Sequence, residues 1–195
     1  MPDPLHARGP LSPSACSYDH GGIRITDMSG RQVAGVALLG GDRAALDATV
    51  RQAWGVDLPD TPRIVAGSGL TFAWAGPDQW LALSDAVDDS GPDLEHVLRT
   101  TLGPLAAVTD QGDSRVALRI SGPGSRDALS RLLPIDLHPR AFSPGNTALT
   151  LAGHIGVQVW QVDSCPTYDI LVFRSFARSL HHDLCAAARG AARAA

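Results

Sequence analysis

The order strand, helix, strand, strand, helix occurs twice along this chain, the second copy beginning about eighty residues after the first. No single motif constrains the fold as tightly. In the first copy, Ile23 to Leu39 alternates as one or two strands. Gly40, Gly41 and Asp42 then open a helix in which Leu46, Val50 and Trp54 share a face, and Gly55 ends it. Leu70 to Trp74 and Gln79 to Leu83 form two further strands around Gly76-Pro77-Asp78, where proline presets φ and the aspartate caps its own loop. Ser90-Gly91-Pro92-Asp93 carries a Ser-x-x-Asp capping pattern with proline in the first turn. Leu94, Val97, Leu98 and Leu102 supply the buried stripe of the following helix, which Gly103-Pro104 closes.

The second copy opens with Val116, Leu118 and Ile120 alternating against Ala117 and Arg119, a strand with one buried face. Ser121-Gly122-Pro123 turns it into a helix carrying Leu129, Leu132 and Leu133, stopped by Pro134. Strands near Thr147 to Leu151, Ile155 to Val162 and Tyr168 to Phe173 follow. A final helix is expected to bury Phe176, Leu180 and Leu184 at four-residue spacing. Identity between the copies is negligible, so the repeat is one of pattern.

Two such units predict an α+β fold: two pseudo-repeated halves with mainly antiparallel sheets packed face to face and helices laid on them. The expected division is an extended arm over residues 1–22, a first half over 23–104, a second half over 105–190 and a tail over 191–195. The arm is rich in Pro, Ser, Gly and His, and an assembly would let it lie along a neighbour.

With 195 residues, 44% of them apolar and 18% charged, the chain has the composition of an ordinary globular protein. A net charge of −4 argues against binding nucleic acid or anionic lipid. The absence of a bilayer-length apolar run or a signal-type segment in the first twenty residues points to the cytoplasm. Cys16, Cys165 and Cys185 have no close-ligand spacing and read as free thiols. All sixteen basic side chains are arginine, so lysine Schiff-base chemistry and a Walker-type lysine are excluded. Codon bias is the plain explanation, while arginine's bidentate fork also suits interfaces.

Few groups suggest chemistry. Gly122-Pro123-Gly124-Ser125-Arg126-Asp127 sits where a phosphate loop would sit, yet it lacks the third glycine and Pro123 removes an amide, which favours a plain turn. Asp136 and His138 point to one face if extended, as when a carboxylate orients an imidazole, but no nucleophile elbow accompanies them. The architectural reading has Asp136 pairing with Arg140 or with backbone amides, in a loop set either against a neighbouring subunit or within the chain. His181 and Cys185 are four apart on the last helix and lack a third metal ligand, so a solvated face is the default. Asp110 and Asp113 near the junction of the halves suit acid–base work or the N–H edge of a pterin, and a junction turn explains them equally well. Trp80, directly after a turn, is a candidate anchor for a partner, and Arg115, Arg119 and Arg174 flank buried strands as candidate interface residues. The candidate interface is therefore Trp80, Arg115, Asp136, His138, Arg140 and Arg174; no catalytic, cofactor-binding or metal-binding residue is assigned.

Four ordered blocks carry a resemblance: AGPDQWLAL from Ala75, VTDQ-x-DSR-x-ALRISGP from Val108, PIDLHPRAFSPG from Pro134 and PTYDILVFRSFA from Pro166. Over about Val33 to Ala188 the chain resembles the gamma subunits of heterotetrameric sarcosine oxidases, although Arg131-Leu132-Leu133 replaces the Lys-Gly-Cys common there. The resemblance implies a fold related to the folate-binding fold of the glycine-cleavage aminomethyltransferase. It also implies a subunit without chemistry of its own, in an enzyme that demethylates sarcosine to glycine with formation of hydrogen peroxide and passes the one-carbon unit to tetrahydrofolate. The alpha, beta and delta subunits would be the partners and would hold FAD, FMN, NAD and zinc. The competing reading is a free-standing folate-binding one-carbon transferase, marked by a pocket between the halves with converging carboxylates and a stacking aromatic. A small hydrolase using His138 is a third and lacks a nucleophile.

Overall fold

The computed structural model describes residues 9–11, 17–84 and 93–193. The chain runs β1 (Ser17–His20), β2 (Ile23–Asp27), β3 (Val33–Leu38), α1 (Arg43–Trp54), β4 (Ile64–Ala66), β5 (Leu70–Gly76), β6 (Gln79–Ser84) and α2 (Leu94–Leu102). It continues through β7 (Ala106–Asp110), β8 (Arg115–Ser121), α3 (Ser125–Ser130), β9 (Thr147–Ala152), β10 (Ile155–Asp163), β11 (Thr167–Phe173) and α4 (Ala177–Ala192).

The eleven strands among the described residues form two antiparallel sheets, one ordered β4-β5-β6-β3-β7 and the other β1-β2-β8-β11-β10-β9. The orders match term by term when β3, β4, β5 and β6 are set against β8, β9, β10 and β11. In that match β7 occupies in the first sheet the slot that β2 occupies in the second. After α2 the chain supplies its own flanking strand, whereas after α4 the equivalent slot is filled from the N-terminal side. The α+β architecture of two pseudo-repeated antiparallel halves is therefore present, with one strand of the first sheet (β7) and two of the second (β1 and β2) drawn from outside the simple repeat.

Alternation along each strand gives each sheet two apolar faces. One face of the first sheet packs Ala34, Val36, Phe72, Trp80 and Ala82 against Leu46, Val50 and Trp54 of α1 and Leu94, Leu98 and Leu102 of α2. In the second sheet Ile25, Leu118, Ile120, Val159, Tyr168, Ile170 and Val172 pack against α3 and α4. The two remaining faces meet each other through Val33, Ala73, Leu81, Leu83, Ala117, Trp160 and Leu171. The result is four layers, helix, sheet, sheet, helix, with the sheets joined along a seam of mostly small and aliphatic side chains.

Local signals fix the ends. Asp42 caps α1 by accepting from the Ala45 amide at 2.9 Å, and Gly55 closes it in the left-handed region. Asp93 caps α2, while Ser90, Gly91 and Pro92 lie outside the described residues. At Gly122, φ is +108°, and a Cβ there would collide with the Gly22 carbonyl, so the candidate phosphate turn serves as a close-packing turn against the β1–β2 hairpin. Ser125 is buried there and donates to the Pro166 carbonyl at 2.7 Å.

Three expectations change. The helix expected to carry Leu132 and Leu133 stops at Ser130, and a hydrogen-bonded turn brings Leu133 into the core instead. Phe176 precedes α4 in a 3-10 turn and is exposed, so the buried stripe is Ala177, Leu180, Leu184, Ala188 and Ala191. Within the arm, Ser17–His20 pairs with β2, Leu11 is buried in the second core, and the Pro10 carbonyl accepts from Arg178 Nε at 2.9 Å. Cys16 lies outside the described residues.

Candidate functional site

The strands of the second sheet set the seam-facing side chains in rows. One row runs Arg119, Asp169, Trp160, Thr147, and the next runs Ala117, Leu171, Gln158, Leu149. Beyond these, Arg115 pairs with Phe173 across β8 and β11, and Gly156 with Leu151 across β10 and β9. Successive rows are two residues apart along each strand, so all face the first sheet.

The row containing Asp169 is closed. Asp169 is 1% exposed and accepts from Arg119 twice, Nε to Oδ1 at 2.6 Å and a terminal nitrogen to Oδ2 at 2.9 Å. Arg31, arriving from the β2–β3 connection, donates to the same Oδ2 at 3.0 Å. A cavity of about 200 Å³ beside this trio is lined by Ile64, Thr71 and Leu83 of the first sheet. A buried carboxylate held by two guanidinium groups keeps its lone pairs satisfied and pins one sheet to the loop leading into the other.

The opposite end is open. A groove of about 310 Å³ separates Gly35, Ala37, Ala107 and Thr109 of the first sheet from Gln158 and Leu149 of the second, with Gln111 and Arg115 at its mouth. Arg115 Nε donates to Gln111 Oε1 at 2.5 Å, and its guanidinium lies 4.4 Å from the centre of the Phe173 ring. Burial lowers the Arg115 pKa from its ordinary value, and no carboxylate among the described residues lies within ion-pair distance. Gln158 is 1% exposed; its Nε2 donates to the Trp74 carbonyl at 2.9 Å, which fixes the amide orientation. Its Oε1 accepts no hydrogen bond among the described residues. Around the mouth, Leu149, Leu151 and Phe173 are each about half exposed, and a Cβ on Gly156 would meet nothing within 4 Å. The seam face of the second sheet thus continues past the cover of the first.

Of the sequence candidates, Arg115 and Trp80 line this groove, and only Arg115 is accessible in it. Trp80 does not reach the surface: it is 1% exposed, its Nε1 donates to the Pro59 carbonyl at 2.7 Å, and the Arg43 guanidinium lies over its ring at 4.6 Å. Burial in its own core removes it as an anchor for a partner. Asp136, His138 and Arg140 are exposed in one loop. There Asp136 Oδ1 accepts from the His138 backbone amide at 2.8 Å, and His138 Nδ1 accepts from the Arg140 amide at 3.2 Å. The carboxylate braces the turn and does not orient the imidazole. Arg174 is half-buried next to Phe173, its amide donating to the Ser114 carbonyl at 2.8 Å. Arg119 is committed internally to Asp169.

Asp110 folds onto its own turn, accepting from the Gly112 amide at 2.9 Å, which is the junction-turn role. His181 Nε2 lies 3.6 Å from Cys185 Sγ. Burial pulls the imidazole down, opposed by the Asp27 charge, and pushes the thiol up. Both are neutral near pH 7, unlike a thiolate–imidazolium pair. Among the described residues no group of three side chains is placed to hold a metal ion.

Sequence reasoning missed the Arg31–Asp169–Arg119 trio and the part played by Gln111 and Gln158. The trio joins residues up to 138 positions apart, and no local spacing announces such a contact. The seam contains one described carboxylate, already engaged, so the converging carboxylates expected of a free-standing transferase are not assembled in either cavity described.

Comparison with known proteins places this architecture. Residues 40–189 match the family model described as sarcosine oxidase, gamma subunit family. The sarcosine oxidase subunit gamma of Corynebacterium sp. strain P-1 is 34% identical over 138 residues, 69% of this chain and 66% of that relative. That of Corynebacterium sp. strain U-96 is 32% identical over 138 residues, 65% of its length, and that of an Arthrobacter species is 34% identical over 117 residues, 56% of its length. The alignments thus span less than two thirds of these relatives. A chain of the heterotetrameric sarcosine oxidase from Corynebacterium sp. U-96, solved with pyrrole 2-carboxylate, superposes with a TM-score of 0.77 at 27% identity, covering 92% of this chain and 90% of that one.

Proposed function

The chain belongs to the sarcosine oxidase gamma subunit family, and on that premise we propose that it is the assembly subunit of a four-chain sarcosine oxidase. In this reading the enzyme demethylates sarcosine oxidatively to glycine, yields hydrogen peroxide, and delivers the one-carbon unit to tetrahydrofolate. FAD, FMN, NAD and zinc reside on the alpha, beta and delta chains, and this subunit contributes surface and no reacting group. The assembly is cytoplasmic; no described helix is long and apolar enough to cross a membrane.

The observation that carries the reading is the superposition over nine-tenths of both chains on a component of a heterotetrameric sarcosine oxidase. The open end of the seam supports it in physical terms. Leu149, Leu151 and Phe173 expose apolar area around an arginine, the composition of an interface core. Co-expression with the genes of candidate flavoprotein and zinc-protein subunits, followed by size-exclusion chromatography and a sarcosine-dependent peroxide assay, tests it. Co-elution with a flavin-absorbing, peroxide-forming complex is the expected result. A stable lone chain that binds tetrahydrofolate and ignores those partners would overturn it.

A further inference from the structure

We propose that the open end of the seam is the docking site for a carboxylate-bearing, partly apolar loop of a larger subunit, with Arg115 as its central anchor. The inference rests on the assembly reading and specifies the surface and chemistry of the contact.

The argument begins with charge. Arg115 is half-buried, its Nε is spent on Gln111, and its plane is held against Phe173, so rotation of the guanidinium is restricted. Desolvation is the cause of its lowered pKa, and no described carboxylate offsets it. A preoriented arginine in partly dry surroundings gains most from a bidentate carboxylate. The same strand shows the alternative: four residues on, Arg119 meets that requirement with Asp169 from within the chain.

The second observation is the Gln158 amide. It is held by the Trp74 carbonyl and Thr147 Oγ1, is almost fully buried in the groove wall, and has an enclosed oxygen that lacks a donor among the described residues. A segment that parts the groove wall as it enters satisfies this oxygen with a backbone N–H. Ala37, Ala107 and Thr109 leave room for a main chain to approach, which larger side chains would prevent, while the Gln111 amide packs over Gly35.

The rim decides between a protein segment and a small anion. A metabolite within about 310 Å³ would leave Leu151 and Phe173 as exposed as before. A loop that enters the groove and continues over the uncovered strip past Gly156 buries them. The occupant is therefore a segment presenting an Asp or Glu flanked by apolar residues.

The test uses the co-expressed complex with three variants of this chain. Arg115→Gln removes the charge, Leu149→Asp places a negative charge on an exposed rim position, and a photo-crosslinking phenylalanine analogue at Leu151 reports the neighbour. Association is expected to weaken about 30-fold for Arg115→Gln, the loss typical of an interface hot spot. Leu149→Asp should weaken it as well, and because Leu149 is 53% exposed this variant keeps the fold intact if Arg115→Gln does not. The crosslinked peptide should come from a partner subunit and contain an acidic residue. If the unmodified chain fails to co-elute, the assembly reading itself falls. If it co-elutes and both substituted chains do so undiminished, or the crosslinked peptide has no acidic residue, the docking proposal falls while the assembly reading stands. A small carboxylate seen on the chain within the intact complex by native mass spectrometry, in place of a crosslink, would also overturn it.

Discussion

Arg115 and Arg119 lie four residues apart on one strand and face the same seam, yet the fold treats them differently. Arg119 shares a buried carboxylate with Arg31 and helps to shut one end of the sandwich. Arg115 is braced by an amide and an aromatic ring at the other end, where the sheets part and apolar side chains stand exposed. An arginine neutralised from within does structural work, whereas one that is oriented and left unneutralised is prepared for something outside the chain. The contrast separates stability from assembly within a single seam.

Breaking the closed end should have the largest effect. Asp169→Ala leaves two guanidinium groups facing a partly dry cavity, and a loss of about 3–5 kcal/mol in unfolding free energy is expected, read by urea denaturation. A loss below about 1 kcal/mol would show the trio to be as weak as a surface pair. Truncating the middle of the seam comes next. Leu171→Ala removes a fully buried contact between the sheets and should cost about 2–5 kcal/mol, with the midpoint falling and the slope unchanged.

The open end should behave in the opposite manner. Arg115→Gln gives up a hydrogen bond and a ring contact worth about 1 kcal/mol together, while relieving desolvation, so the midpoint should barely move even as association suffers. Equal losses of stability at Arg115 and Asp169 would erase the contrast.

Where this boundary falls was only partly legible in the chain. Helix α1 could be read almost to the residue, because Asp42 and Gly55 state its ends and Leu46, Val50 and Trp54 its face. The three strands of the second hairpin region were visible through alternation in Ile155–Asp163 and its neighbours. Ile64–Ala66 is too short to show a period, and Ala106–Asp110 reads Ala-Ala-Val-Thr-Asp, an apolar run passing into polar residues without alternation, a weak signal beside a junction of glycines and acids. Trp80 was misjudged because a residue after a turn is ordinarily near the surface, and here α1 and the Pro59 segment cover it. Arg115 was legible as a candidate because it flanks an apolar strand. Its difference from Arg119 was not, since both read as Arg in an alternating run and only pairing with distant Asp169 separates them.

The smallest expected effect is a control remote from the seam. Burial holds the folded-state pKa of His181 below the unfolded value, with Asp27 opposing and His182 assisting, and Cys185 packed against the ring. The unfolded chain therefore binds this proton more tightly. Its contribution is present above about pH 6.5 and is lost as pH falls toward the folded value. Urea midpoints should decline through that window and decline less in His181→Gln, while the gap between the Arg115 and Asp169 variants stays constant.

Hydrogen–deuterium exchange on the chain alone and within the purified assembly tests the central claim most directly. Slower exchange in the assembly at residues 107–115 and along β9, with the closed end around Arg31, Arg119 and Asp169 unchanged, is the result this account predicts. Protection confined to α1 and α2, with residues 107–115 and β9 exchanging as in the lone chain, would contradict it.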